Sequence, residues 1–68
     1  MKQYLLNAIM EIFNQHPYSI YSVTDISNAL DAHRQTIMLY IDELEKQEKI
    51  IKVNRPNKVY WTKKRGII

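Results

Sequence analysis

The spacing of apolar residues along this chain changes once, at Lys49, and that change limits the fold more than any other feature. Before it, apolar residues recur three and four positions apart, the period of a helix with one buried face; after it they alternate, the period of a strand. From Lys2 to Gln15, Leu5, Leu6, Ile9, Met10, Ile12 and Phe13 mark an amphipathic helix. It should end near His16, because Pro17 has no amide hydrogen and drives the residue before it out of the helical region. Tyr18-Ser19-Ile20-Tyr21 is rich in β-formers and reads as an extended segment with room for one short strand. Ser22 with Asp25 three residues later has the form of a capping box, and it predicts a second helix over about Val23 to Leu30 with Val23, Ile26, Ala29 and Leu30 on one face. Asp31 and Ala32 suit a tight turn. A third helix then begins near His33 or Arg34, carries Ile37, Ile41 and Leu44 on one face, and ends around Gln47 or Glu48.

Beyond Lys49, Ile51 and Val53 alternate with Lys52, Asn54-Arg55-Pro56-Asn57 supplies turn chemistry, and Lys58-Val59-Tyr60-Trp61-Thr62 alternates again. This predicts a β-hairpin with its tip at Arg55 to Asn57, Val59 and Trp61 on one face, and Tyr60 and Thr62 on the other. Trp61, Val59, Ile51 and Phe13 are expected in the core, since large apolar groups dominate small cores. Sixty-eight residues enclose one such core, so residues 1–68 are expected to form a single domain.

Several classes of function fall away on composition. The single glycine, Gly66, excludes phosphate loops and dinucleotide fingerprints that need several. No cysteine is present, which removes disulfides, thiol nucleophiles and thiolate metal sites and leaves His16 and His33, well separated, as a poor metal pair. Asp42, Glu43 and Glu45 lie on successive faces of one helix, as solvated carboxylates do, and no catalytic constellation emerges. The chain is therefore not expected to be an enzyme, nor to carry a cofactor or a small-molecule ligand. With no signal peptide and no long apolar run, the expected location is cytoplasmic, away from any membrane.

Charge points the other way, toward a partner. The net charge of +3 conceals a partition: residues 1–48 hold three cations against seven acids, and residues 49–68 hold seven cations and no acid. A basic segment whose cations alternate with apolar residues, set on an otherwise acidic domain, is suited to a polyanion.

Helix, short extended segment, helix, tight turn, helix and basic hairpin is the element order of the winged helix-turn-helix, and the residues extend the likeness. The run from Ser22 to Ile37 resembles the helix-turn-helix of prokaryotic transcription regulators, with Leu30 at the buried end of the second helix and Thr36-Ile37 opening the third. Ile41, Leu44, Glu45 and Ile50 continue the pattern, and Trp61-Thr62 is similar to the apolar residue plus threonine that closes the wing. The departures are Asp31 and Glu48, where family members commonly have glycine, and Met38, Leu39 and Tyr40, where they often show polar or basic residues. The resemblance implies an α+β fold, three helices with a C-terminal hairpin wing, that binds double-stranded DNA and regulates transcription.

In such a fold the third helix, about residues 33–47, enters the major groove and reads bases from its first turns. The residues at that end are His33, Arg34, Gln35, Thr36, Met38 and Leu39. Arg34 can pair with guanine and Gln35 with adenine, while Thr36 fits a helix-start hydroxyl equally well. The wing, about residues 50–62, offers Lys52, Arg55 and Lys58 to the backbone or minor groove, and Lys63 and Lys64 extend the charge. A chain this small gains from dimerisation, with helix 1 and the Gly66-Ile67-Ile68 end as candidate surfaces for a homodimer. Two other readings stand beside this one: a protein-interaction domain using Met38, Leu39 and Tyr40, and a single-stranded nucleic acid or RNA binder using Tyr60 and its neighbouring cations.

Overall fold

A computed structural model of the chain describes residues 1–64, as three helices followed by a two-stranded antiparallel hairpin. Helix α1 spans Gln3–Gln15, α2 Val23–Leu30 and α3 Arg34–Lys46; strands β1 and β2 span Ile50–Asn54 and Val59–Lys63. This is the expected α+β arrangement, and it is consistent with a winged helix. Arg65 and the Gly66-Ile67-Ile68 surface lie outside the described residues.

Each boundary has a local cause. The capping box at the start of α2 is formed in both directions: the Asp25 amide donates to Ser22 Oγ at 3.2 Å, and the Ser22 amide donates to Asp25 Oδ2 at 3.0 Å. Two of the amides that a helix start leaves open are thereby satisfied. At the far end of α2 the Ala32 amide reaches back to the Ser27 carbonyl and the Asp31 amide to that of Asn28, with Asp31 left-handed at φ 51°. The end of α3 repeats the device: the Lys49 amide donates to the Leu44 carbonyl, the Glu48 amide to that of Glu45, and Glu48 sits at φ 60°. Both are Schellman closures, which place a residue in the left-handed region where a side chain is ordinarily disfavoured. Here acidic residues occupy both positions, so the turns keep the geometry that glycine commonly serves.

The core gathers Leu6, Ile9 and Phe13 of α1, Ile26 of α2, Ile37, Tyr40, Ile41 and Leu44 of α3, and Ile50 and Trp61 of the hairpin. Phe13 and Trp61 are buried as expected. Ile51 and Val59 are not: they are 43% and 38% exposed, and the buried isoleucine is Ile50 at 1%. Cross-strand pairing explains this, since Ile50 faces Lys63, Lys52 faces Trp61 and Asn54 faces Val59, so these six residues share one side of the hairpin. Only the base of that side lies over the helices. Val59 shares a face with Trp61 but sits near the tip, beyond the core, and Ile51 is on the opposite side. In α2 the expected stripe is also corrected, because Ala29 is exposed while Ser27 is buried and its hydroxyl donates to the Ala32 carbonyl.

The extended segment before α2 contributes a single bridge, not a full strand. The Tyr21 amide donates to the Trp61 carbonyl at 2.8 Å and the Trp61 amide to the Tyr21 carbonyl at 2.7 Å. The Tyr21 ring meets Phe13 edge-on at 5.4 Å, and Thr62 Oγ1 donates to the Ser19 carbonyl at 2.9 Å. The hairpin base is thus tied to the α1–α2 connection on one side. On the other, the Trp61 indole N–H donates to Glu45 Oε1 in the last turn of α3 at 3.1 Å. Among the described residues no helix is long and apolar enough to cross a membrane.

Candidate nucleic-acid interface

The third helix divides into a buried stripe and an open edge. At about 100° per residue, Ile37, Tyr40, Ile41 and Leu44 fall together, and Gln35, Leu39 and Asp42 project the opposite way. Arg34 and Met38 flank that edge on the side of α2, where with Val23 and Gln35 they line an open concavity of about 430 Å³. His33, Arg34 and Gln35 are exposed; Thr36 is half-buried on the other flank and does not join them.

Tyr40 does not join Met38 and Leu39 on an exposed surface, contrary to the pattern of the sequence. It is 8% exposed, and its hydroxyl accepts the Lys2 amide at 3.0 Å, pinning α3 to the start of α1. Leu39, at 60%, and Met38, at 37%, remain on the open edge.

The start of α3 differs electrostatically from that of α2. Its N-cap is His33, which makes no side-chain cap bond, and its first turn holds no acid. The first-turn amides therefore lack a side-chain cap, and the partial positive charge of the helix end adds to that of Arg34, the first residue of the helix. Thr36 is not the cap residue.

The hairpin supplies the remaining cations. The Arg55 amide donates to the Lys58 carbonyl at 3.0 Å and the Lys58 amide to the Arg55 carbonyl at 3.3 Å, closing a tight turn around Pro56 and Asn57 that holds both side chains at the tip. Lys52 lies on the Trp61 side of the hairpin, the side that meets α3 through Glu45. Lys52, Arg55 and Lys58 are exposed and have no acidic partner, because the one ion pair among the described residues joins Lys64 to Glu48. In that pair Nζ lies 2.9 Å from Oε1, and the lysine holds the exposed Glu48 carboxyl below its ordinary value of 4.5, through the hydrogen bond first and the charge second. Lys64 is therefore a tie between the hairpin base and the end of α3, whereas Lys52, Arg55 and Lys58 are open. Lys63 is half-buried at the same base, about 16 Å along the strand from the tip at 3.3 Å per residue.

Several acids near this base are already engaged: Glu45 by the Trp61 indole, Glu48 by Lys64, and Glu43, which accepts Gln47 Nε2 at 2.8 Å. Asp42 stays exposed in the second half of α3, so the anion-tolerant length of that helix is its first two turns. The longest dimension of the molecule is 33 Å, and the helix start and hairpin tip both fall within about one turn, 34 Å, of B-form DNA.

The tip geometry of Arg55 and Lys58 and the open edge of Arg34 and Gln35 were legible as candidates from residue type. The engagement of Lys64 was not, since its partner Glu48 is 16 residues away in sequence and meets it only through the hairpin return. Comparison with family models, with curated proteins and with solved structures gives no match to this chain.

Proposed function

We propose that this chain binds double-stranded DNA in a sequence-specific manner, as a cytoplasmic transcription regulator of the winged helix-turn-helix kind, with no enzymatic step. In this reading the first two turns of α3 lie in the major groove, whose width of about 12 Å admits one helix, and the hairpin tip rests on the backbone or in the minor groove. The observation that carries it is the combination of an acid-free start of α3 without a side-chain cap, bearing Arg34 and Gln35, with three hairpin cations, Lys52, Arg55 and Lys58, that no carboxylate among the described residues neutralises. Unpaired cations release condensed counterions from a duplex, whereas cations already paired must first break their own contacts. Arg34 and Gln35 carry groups able to form two hydrogen bonds to a guanine or an adenine edge. A homodimer through the outer side of α1, where Tyr4 is exposed, would set two such helices about 34 Å apart on one face of the duplex.

The test compares two variants on a duplex selected from a random library and on its scrambled counterpart. Arg34→Ala should weaken the selected duplex by about 1 to 3 kcal/mol and leave the scrambled one nearly unchanged. Arg55→Ala should weaken both alike. Equal loss on both duplexes for Arg34→Ala defeats the base-reading role.

A further inference from the structure

Met38 and Leu39 stand on the open edge of α3 between polar and charged residues, and neither is used by the core. An apolar side chain offers no donor or acceptor, so it cannot read the hydrogen-bonding pattern of a base pair. The apolar group that the major groove does present is the 5-methyl of thymine. Resting on the duplex-binding reading above, we propose that Met38 and Leu39 recognise pyrimidine 5-methyl groups, so that the preferred duplex carries thymine beneath the second turn of α3.

Placement supports this. Met38 follows Arg34 by about one helical turn, and Leu39 follows Gln35 in the same way, so each apolar group lies about 6 Å further along the axis than a residue suited to a purine edge. The concavity that Met38 lines is bounded by Val23 as well as Arg34 and Gln35, which gives it an apolar wall next to the polar reading groups. The neighbouring charge selects the occupant: Arg34 and the acid-free helix start, one turn before the apolar pair, call for a phosphate beside it. A duplex supplies phosphates and methyl groups together. Asp42, exposed one turn beyond Met38, limits the contact to the first two turns.

The experiment replaces each thymine of the library-selected duplex by deoxyuridine, one at a time, and measures affinity by fluorescence anisotropy at fixed salt. At one or two positions the wild-type protein should lose about fourfold in affinity, the factor that burial of one methyl-sized group gives. Leu39→Ala, at the more exposed of the two positions, and Met38→Ala, each shown by circular dichroism to be folded at the assay temperature, should bind the thymine and uracil duplexes equally at those positions. Uracil tolerated at every position by a protein that still discriminates selected from scrambled duplex overturns this inference and leaves the proposed function intact. Absence of salt-dependent binding to any duplex overturns both. Self-association that Leu39→Ala abolishes, with duplex affinity unaltered, assigns the edge to a second copy and overturns the methyl-reading role.

Discussion

Truncating Ile50 and Ile51 in turn places the hairpin register under direct test. Ile50 is 1% exposed and lies against the helices at the hairpin base, while Ile51, its neighbour, is 43% exposed on the other side. Isoleucine to alanine removes three carbons, worth about 2.4 kcal/mol at 0.8 per buried methylene, and a rigid site adds the cost of the cavity left behind. Ile50→Ala should therefore cost about 3 to 4 kcal/mol. For a chain of 68 residues the whole stability is about 3 to 10 kcal/mol, so this one change removes a large part of it. At about 4 to 8 °C per kcal/mol, the midpoint should fall by about 12 to 30 °C. Ile51→Ala removes the same atoms from a half-solvated position and should cost about 1 kcal/mol. Thermal unfolding followed by the fluorescence of Trp61, the only tryptophan and a buried one, reports both variants with one probe. Equal losses, or a larger loss for Ile51→Ala, would refute the register. A slip of one residue carries every hairpin side chain to the opposite face, and Lys52 would then leave the side that meets α3.

Two further outcomes follow from the helix ends. Asp31→Gly should raise stability by about 0.5 kcal/mol by relieving a left-handed residue with a side chain, and Asp31→Val, branched at Cβ, should lower it by about 1 to 2 kcal/mol; urea unfolding of both variants decides. Because Lys64 depresses the Glu48 carboxyl, the contribution of that pair is present above the carboxyl's ordinary value of 4.5 and is lost as pH falls through its lower folded value. An NMR titration of Glu48 should accordingly move up toward 4.5 in Lys64→Gln, and an unchanged titration would mean the pair does not form.

Much of the helical part was written plainly in the residues. The Ser22 and Asp25 spacing, Pro17, and the stripe of Ile37, Ile41 and Leu44 act locally, through amides and faces a few residues apart, and the helices fall within a residue or two of the expected bounds. Asp31 and Glu48 were recognisable as glycine-like positions, and both adopt the left-handed backbone such positions need. The hairpin was harder. Its alternation shows where the strands run, but burial depends on how far the base overlaps the helices, and the tip projects past them. For that reason Ile51 and Val59 carry the pattern of core residues without the burial, while Ile50, between Lys49 and an equally apolar Ile51, does not show which of the two isoleucines is the buried one. Tyr40 was misleading for the opposite reason: its partner, the Lys2 amide, is 38 residues away. In the candidate interface, residue type identified which cations to consider, and only the fold separates the tied Lys64 from the open Lys52, Arg55 and Lys58.

The salt dependence of binding to a selected duplex tests the central claim most directly. Lys52, Arg55 and Lys58 acting together on phosphates predict a log-log slope of about −2.7, at 0.9 per phosphate neutralised. The slope should become shallower by about 1 in Arg55→Ala. A slope near zero, with affinity indifferent to salt, would contradict the account.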